Sequence, residues 1–270
     1  EVVMGHQRVA IVGTRNCTRY GLDVAFELGR DLAAAGVTVV SGLAVGIDAA
    51  AHAGALAGPE LAHEREGPPA APPVAIVGSG LDVVYPRRNA SLWRRVETAG
   101  AVASEAPLGA RPERWRFPAR NRLIAALADV VVVVESREWG GSMHTVTEAL
   151  RRDRVLLAVP GPVRSPASVG TNRLLADGAG PCCGADDVLL ALGLSPATSR
   201  AATIETRPAP EPAHRGILDA LGWRPALLDQ LAVRADVDLG ELAVAVATLE
   251  AQGWLIRRGS WLERVARAGS

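Results

Sequence analysis

The sequence predicts an α/β protein built on a doubly wound, mainly parallel β-sheet, and two patterns support this. Short runs of β-branched and aliphatic residues, each followed by Gly, Ser or Pro, alternate with segments of helical periodicity. The runs are apolar at consecutive positions, which is typical of strands that helices cover on both faces. Sheets of this kind bind ligands at the carboxyl ends of their strands, so functional residues are expected there.

The pattern predicts strands at six places along the chain. They cover residues 8–13, 37–41, 74–78, 101–104, 129–135 and 155–161. Residues 58–73 are rich in proline and predict a surface loop. From Gly193 to Pro212 the composition shifts to Ser, Thr, Ala and Pro, which indicates a linker. We therefore predict one domain at 1–205, a linker at 206–213 and a small domain at 214–270.

Composition limits the classes of protein to which the chain can belong. Its 270 residues, 49% of them hydrophobic, can bury one large core and one small one. The apolar runs are far shorter than the roughly 18 to 20 residues of a membrane helix, and no signal pattern opens the chain. We therefore expect no membrane association and a cytoplasmic location. The cysteines and histidines lack the spacing of metal ligands, so neither a metal nor a cofactor is expected.

Charge is distributed unevenly along a chain that is neutral overall. All 29 basic residues are arginine, and residues 87–122 hold nine arginines and three acids, a local charge of +6. Four of these arginines and two aromatic residues fall within 114–122, RWRFPARNR. A basic segment in a neutral chain indicates a polyanionic ligand at one place.

Three predicted strand ends combine glycine with a hydroxyl group. The residues are Gly13, Thr14 and Arg15 after the first strand, Ser41, Gly42 and Gly46 after the second, and Gly78, Ser79 and Gly80 after the third. Glycine lets a ligand approach the backbone closely, and the N-terminus of a following helix offers free N–H groups to an anion. Together the three turns predict a cradle for phosphate groups.

Two common enzyme classes do not fit these turns. A dinucleotide-dependent oxidoreductase would carry GxGxxG after a strand, but the segments here read GTRNCT and GSGLDVV. Its second strand would also end in an acid that binds ribose, and this one ends in Ser41. A serine hydrolase of the α/β type would carry GxSxG, which is absent.

Several blocks in order resemble the DNA-processing protein A (DprA/Smf) family over about residues 8–192. They read VGTR, SGLAVGIDAAAH, GSGLDVVYPRRN, FPARNRLIAAL, VVVVESREWGGSMHT and AVPGPV followed by GTNRLLADGA. The resemblance implies a Rossmann-like domain that binds single-stranded DNA, forms a homodimer and loads the RecA recombinase during natural transformation. It also implies a binding protein and not an enzyme. Many members carry a helical domain before this core, so whether such a domain was removed is left open.

The resemblance and the local composition together extend the set of expected DNA-binding residues. Besides the strand-end residues, the set contains Tyr85, Asn89, Phe117, Arg120, Asn121, Arg122, Gly141, Ser142, Asn172 and Arg173. Single-stranded DNA is held by cations along its phosphates and by aromatic rings that stack on bases. We expect Arg15 and Arg120 outside the core, a helix from Arg120 to Ala128, and Phe117 either stacked on a base or packed on the sheet.

Two other functions are kept as alternatives. The segment GGSMHTVTEAL resembles the PGGxGTxxE signature of LOG-type nucleotide phosphoribohydrolases, in which Glu148 would help to cleave an N-glycosidic bond, although FP-x-RNR has no place in that family. A dimeric scaffold without nucleic acid is expected if carboxylates pair with the arginines of residues 87–122.

The last residues, from His214, resemble the winged-helix domain often found at the C-terminus of the same family. RGILDALG, PALLDQLAVRAD and DLGELAVAVATLEAQG predict three helices, the third with Asp238 as N-cap and Glu241 completing a capping box. A hairpin is predicted to turn at Arg258-Gly259. Residues 211–270 carry a net charge of −1, and DNA-binding modules are usually basic, so contact with a protein is favoured over duplex DNA.

Overall fold

The computed structural model describes residues 5–64, 68–195, 207–223 and 225–265. The chain divides into two compact units, Glu1–Ala197 and Thr198–Ser270, called the N-terminal and C-terminal units below. The predicted domain boundary at residues 205 and 206 lies outside the described residues, so its position stays a proposal.

The N-terminal unit alternates strands and helices as the sequence predicts. Its strands are β1 (Arg8–Val12), β2 (Thr38–Ser41), β3 (Val74–Val77), β4 (Ala101–Ser104), β5 (Val130–Val133), β6 (Val155–Ala158) and β7 (Gly180–Pro181). Its helices are α1 (Arg19–Ala34), α2 (Ile47–Ala55), α3 (Gly58–Glu64), α4 (Ala90–Ala99), α5 (Arg116–Leu127), α6 (Ser142–Leu150), α7 (Val169–Ala176) and α8 (Ala185–Ala191). All six predicted strands are present; β7 was not predicted because a Gly-Pro pair carries no strand signal.

The seven strands form one parallel sheet in the order β4-β3-β2-β1-β5-β6-β7. The chain winds outward from β1 in one direction and then returns to add β5 on the other side of β1. Val9 therefore pairs with Val39 of β2 and with Val130 of β5. This reversal opens a crevice at the carboxyl ends of β1 and β5, where such sheets bind their ligands.

Helices cover both faces of the sheet, as the continuous apolarity of the strands predicts. Val9 and Ile11 of β1 pack in a layer with α1, α2 and α8, whereas Ala10 and Val12 pack in a layer with α5, α6 and α7. Successive side chains of a strand point to opposite faces, so a strand buried in this way is apolar throughout. The N-terminal unit is thus a Rossmann-like, doubly wound domain.

Two predictions about the local structure of the N-terminal unit were wrong. Residues 58–73 do not form a loop throughout, because α3 occupies Gly58–Glu64 and packs so closely on α1 that a Cβ at Gly58 would lie 2.7 Å from Cβ of Ala33. The helix expected from Arg120 begins four residues earlier, at Arg116. Pro118 then lies in the first turn of α5, where a backbone N–H has no helical acceptor and proline is tolerated. The basic and aromatic cluster therefore lies largely on a helix.

The C-terminal unit has the helices and the hairpin of a winged-helix domain. It contains α9 (Pro212–Leu221), β8 (Ala226–Leu227), α10 (Leu228–Ala235), α11 (Leu239–Ala251), β9 (Leu255–Arg258) and β10 (Trp261–Arg264). Its antiparallel sheet has the order β8-β10-β9, with β9 and β10 joined at the predicted turn. Asp238 caps α11 by accepting the N–H of Gly240 at 2.7 Å. Residues 226 and 227 pair with β10, so their assignment to a helix was wrong.

Within the part of the chain that the structure describes, no helix combines the length and the apolarity needed to cross a bilayer.

Candidate nucleic-acid interface

Two adjoining cavities open at the carboxyl edge of the sheet, where the strand order reverses. The larger has a volume of about 640 Å³ and the smaller about 410 Å³. Both are lined by Arg15, Asn16, Ala44, Tyr85, Phe117 and Arg120. The larger continues over the start of α6, and the smaller continues over the end of β3. They are treated below as one site, the carboxyl-edge cavity.

The turn after β1 brings Arg15 into the carboxyl-edge cavity. The N–H of Thr14 donates to the carbonyl oxygen of Glu135 at 2.7 Å, and the N–H of Asn16 donates to Oγ1 of Thr14 at 3.2 Å. A Cβ at Gly13 would lie 2.8 Å from the carbonyl oxygen of Glu135, so only glycine allows this turn to pass so close to β5. The turn therefore has a fixed position from which the exposed Arg15 side chain projects.

Arg15, Phe117 and Tyr85 form a stack between the two parts of the cavity. Cζ of Arg15 lies 4.8 Å from the centroid of the Phe117 ring, and the Phe117 and Tyr85 centroids are 5.6 Å apart at an angle of 34°. Phe117 is half-buried and Tyr85 is 40% exposed. A cation over an aromatic face is favourable, and both groups remain accessible from the cavity. The stack offers a positive charge and π surfaces at one point, as an unpaired nucleotide requires.

Arg120 is buried beneath this stack, which corrects the expectation that it lies outside the core. The residue is 6% exposed, and its Nη1 donates to the carbonyl oxygen of Ile76 at 2.8 Å. Its Nη2 lies 3.7 Å from Oδ2 of Asp48. Gly42 makes room for the guanidinium, since a Cβ there would lie 1.5 Å from Nη1. The helical frame of α5 turns Arg120 inward, which an interpretation of this segment as a loop could not predict.

Burial shifts the pKa values of two residues of α2, Asp48 and His52. Desolvation raises the pKa of Asp48, although the charges of Arg120 and Arg15 oppose the shift. Desolvation lowers the pKa of His52 to about 4, and the charge of Arg120 acts in the same direction. Neither ring nitrogen of His52 has a hydrogen-bond partner within the described ranges. His52 is therefore held neutral at pH 7.

The cavity is positive because most of its arginines have no carboxylate partner. Five arginines and one acid, Asp48, line it. Among the described residues Arg15, Arg88, Arg114 and Arg137 form no ion pair, so their charges face the cavity uncompensated. An uncompensated set of cations in a concave site attracts a polyanion.

The ion pairs of the arginines in residues 87–122 test the alternative of a scaffold without nucleic acid. Of the arginines in residues 87–122, Arg116, Arg120 and Arg122 pair with carboxylates. The other six, Arg87, Arg88, Arg94, Arg95, Arg111 and Arg114, form no ion pair with any residue that the structure describes. The basic segment is thus not neutralised internally, contrary to what the scaffold alternative requires.

The cavity gathers a majority of the predicted site residues. Those that line it are Gly13, Thr14, Arg15, Gly42, Gly78, Ser79, Tyr85, Phe117, Arg120, Asn121, Gly141 and Ser142. Those that do not are Ser41, Gly46, Gly80, Asn89, Arg122, Asn172 and Arg173. The turns after β1, β2 and β3 and the start of α6 therefore meet at one place, as the parallel sheet predicts.

The residues outside the cavity make bonds within the fold. Oγ of Ser41 donates to the carbonyl oxygen of Ile11 at 2.6 Å, and Nδ2 of Asn89 donates to that of Leu43 at 2.9 Å. Asn172 both accepts from the N–H of Gly161 and donates to its carbonyl oxygen. Arg122 pairs with Glu105 and Arg173 with Asp177. The side chains of these five residues therefore already have partners within the fold, and no ligand is needed to satisfy them.

Two hydroxyl groups that line the cavity are also committed to internal bonds. Oγ of Ser79 donates to the carbonyl oxygen of Val83 at 2.7 Å, and Oγ of Ser142 donates to Oγ of Ser136 at 2.8 Å. Both serines are buried. The hydroxyl hydrogens of these two serines are therefore not free to bind a phosphate.

Some lining residues were absent from the predicted set. They are Val12, Asn16, Ala44, Val45, Asp48, Val77, Pro86, Arg88, Arg114, Pro118, Ile124, Arg137, His144 and Thr145. Asn16 and Arg137 could have been predicted from the sequence, because each lies within four residues of the end of an apolar strand. The register of α6 could not be predicted from single motifs.

Glu148, the residue on which the phosphoribohydrolase alternative depends, lies outside the carboxyl-edge cavity. Its carboxylate pairs with Arg151 at 2.8 Å and also with Arg152, and these hydrogen bonds, that of Arg152 above all, lower its pKa. A carboxylate held by two cations is a weak base. The arrangement gives no support to an N-glycosidic cleavage by Glu148.

Comparison with protein families gives matches along almost the whole chain. The model of the family described as DNA recombination-mediator protein A matches residues 2–193, and that of the DprA winged helix domain matches residues 200–259. The putative DNA processing protein DprA of Mycobacterium tuberculosis is 39% identical over 268 residues, which cover 97% of this chain and 65% of that protein. Protein Smf of Escherichia coli is 33% identical over 272 residues, with 97% and 68% covered. The chain thus spans about two thirds of the length of these relatives.

Solved structures of two relatives share the fold. The X-ray structure of DNA processing protein A from Streptococcus pneumoniae superimposes with a TM-score of 0.60 at 34% identity, covering 70% of this chain and 62% of that one. DNA processing protein A from Helicobacter pylori gives a TM-score of 0.62 at 29% identity, covering 71% and 82%, and its structure was described for its single-stranded DNA binding mode. The fold, the two family models and the identities agree, and the chain belongs to the DNA recombination-mediator protein A (DprA/Smf) family.

Proposed function

We propose that the chain binds single-stranded DNA in the carboxyl-edge cavity. The observation that carries the proposal is the stack of Arg15, Phe117 and Tyr85 together with three further unpaired arginines that line the same cavity, Arg88, Arg114 and Arg137. Phosphates would contact the guanidinium groups, and bases would stack on the rings. Such stacking tolerates any DNA sequence because every base has a π face. The Helicobacter pylori relative, described for single-stranded DNA binding, supports the same ligand.

The cavity fits a single strand better than a duplex. Its two parts, about 640 and 410 Å³, are of the size of small-molecule sites and admit individual nucleotides. A B-form duplex has stacked, paired bases whose faces cannot reach Phe117 or Tyr85. Duplex DNA would therefore contact only the outer arginines and bind by charge alone.

The biological role that we propose is recombination mediation. The family description supports it, and the resemblance of the motifs supports the loading of a RecA recombinase on incoming DNA in the cytoplasm during natural transformation. The protein would act as a homodimer and without a catalytic step. A C-terminal unit with no excess of basic residues is suited to contact with a protein, and we assign it that role.

One pair of assays tests the proposal. Electrophoretic shifts with matched single and double strands at two salt concentrations should show a preference for the single strand. RecA added to single strands coated with a single-strand-binding protein should form filaments faster when the chain is present. Absence of acceleration with intact strand binding would remove the mediator role and leave the binding role; sedimentation velocity would test the dimer.

A further inference from the structure

Two exposed tryptophans adjoin the carboxyl-edge cavity without lining it. Among the described residues of the N-terminal unit, Trp93 is buried, whereas Trp115 is 60% and Trp139 91% exposed. Trp115 directly follows Arg114, and Trp139 lies two residues after Arg137; both arginines line the larger part of the cavity. Each exposed indole therefore lies within two residues of an unpaired arginine that lines the cavity.

The turn that carries Trp139 is held in place at its base. The N–H of Gly140 donates to the carbonyl oxygen of Arg137 at 3.1 Å, which closes a tight turn around residues 138 and 139. Oγ of Ser136 donates to the same oxygen at 2.9 Å, and the N–H of Gly170 donates to the carbonyl oxygen of Ser136 at 2.8 Å. The backbone under Trp139 is thus tied to α7, while the indole itself stays in solvent.

Trp115 is placed in a similar way at the start of α5. It precedes the first helical residue, and its carbonyl oxygen accepts the N–H of Ala119 at 3.2 Å. Cζ of Arg116 lies 4.5 Å from the centroid of its ring, and Arg116 in turn pairs with Glu113 at 3.0 Å. One face of the ring is therefore covered by a cation, and more than half of the side chain remains open to a ligand.

We propose that Trp115 and Trp139 stack on bases of the strand outside the cavity and so lengthen the binding site at two points of its rim. The inference rests on the proposed binding of single-stranded DNA. An indole offers a π face to any base, and the neighbouring arginine offers its charge to the adjacent phosphate. The two groups together match the repeating unit of the ligand. A position fixed before binding reduces the conformational entropy that binding would cost.

The test uses the full chain with oligothymidylates of about 5 and about 20 nucleotides, a range that spans the site sizes common for single-strand binding. Trp139→Ala and Trp115→Ala should each lower the affinity for the long oligomer about 5- to 150-fold and leave the short one nearly unchanged. Trp139→Phe should retain most of the affinity, and Trp139→Leu should not. Abasic substitution along the long oligomer should reduce the difference between wild type and Trp139→Ala.

Salt dependence separates stacking from charge. Trp139→Ala should leave the slope of log affinity against log salt unchanged, whereas Arg137→Ala should reduce it by about 0.7, the value for one phosphate contact on a single strand.

Wild-type affinity of both alanine variants for the long oligomer would overturn the inference and leave the proposed function intact. A change of sedimentation alone would assign the two indoles to contact with a second copy and would also overturn it. Absence of any wild-type binding would overturn both proposals.

Discussion

Nη1 of Arg120 donates a 2.8 Å hydrogen bond to the carbonyl oxygen of Ile76, which ties α5 to the end of β3 beneath the cavity. This bond and the ion pair with Asp48 give partners to both Nη atoms of a guanidinium that is almost completely buried, while its Nε has no hydrogen-bond partner among the described residues. Removal of one partner from such a pair leaves a buried charge without compensation. The residue thus supports the site from below.

Arg120→Ala is expected to lower the free energy of unfolding by about 3 to 5 kcal/mol, because Asp48 would remain buried without its partner. Urea denaturation followed by circular dichroism measures the change. Arg122→Ala is the matched control, since Arg122 is about half exposed and its pair with Glu105 is worth at most about 1 kcal/mol. Equal, small losses for both variants would contradict the structural role of Arg120.

Gly42→Ala should reproduce part of the effect of Arg120→Ala, since its methyl group would overlap the guanidinium of Arg120. Overpacking of this kind typically costs about 1 to 3 kcal/mol. Gly141→Ala is the control, because a Cβ at Gly141 meets no atom within 4 Å. Thermal unfolding of the two variants distinguishes them, and a Gly42→Ala variant as stable as Gly141→Ala would show that Arg120 can move aside.

Arg15→Ala should weaken binding of single-stranded DNA and leave stability unchanged, since Arg15 is exposed and forms no ion pair among the described residues. Loss of one phosphate contact should reduce the salt slope by about 0.7. Arg173→Ala is the control, because Arg173 is exposed, pairs with Asp177 and lies outside the cavity. Fluorescence anisotropy with a labelled oligomer measures both, and similar losses would indicate a site wider than the cavity.

Phe117→Ala should lower the affinity for a single strand by about 1 to 3 kcal/mol if the ring stacks on a base. The ring is only half-buried, so the loss of folding stability should stay below the roughly 3 to 5 kcal/mol of a fully buried phenylalanine. Isothermal titration and urea denaturation of the same variant separate the two effects. Unchanged affinity with a large loss of stability would make Phe117 a packing residue.

His52 should make stability depend on pH in the acid range. Its pKa is about 4 in the folded chain against 6.5 when exposed, so the unfolded chain binds a proton first as pH falls. The contribution is complete above pH 6.5 and is lost between pH 6.5 and about 4, by about 3 kcal/mol in total. His52→Leu should flatten the stability curve in this window. The same slope in wild type and variant would show that other groups cause it.

The sequence predicted the sheet and the place of the site because both depend on simple periodicity. Continuous apolar runs marked all strands except β7, and the residues after β1, β2 and β3 meet because parallel strands end at one edge. The inward turn of Arg120 was missed because it depends on the start of α5 at Arg116, which the proline obscured. The internal bonds of Ser41 and Asn172 depend on tertiary neighbours that no local motif encodes.

The most direct test of the central claim is a titration of the chain with an oligothymidylate and with a duplex of equal length at about 50 and 150 mM salt. Stacking of bases on Phe117 and Tyr85, worth about 1 to 3 kcal/mol per base, predicts binding at least about tenfold tighter to the single strand. The four unpaired arginines of the cavity predict a salt slope of about −3. Equal affinity for single strand and duplex at the higher salt concentration, or no binding to either, would contradict the claim that the carboxyl-edge cavity is a single-stranded DNA site.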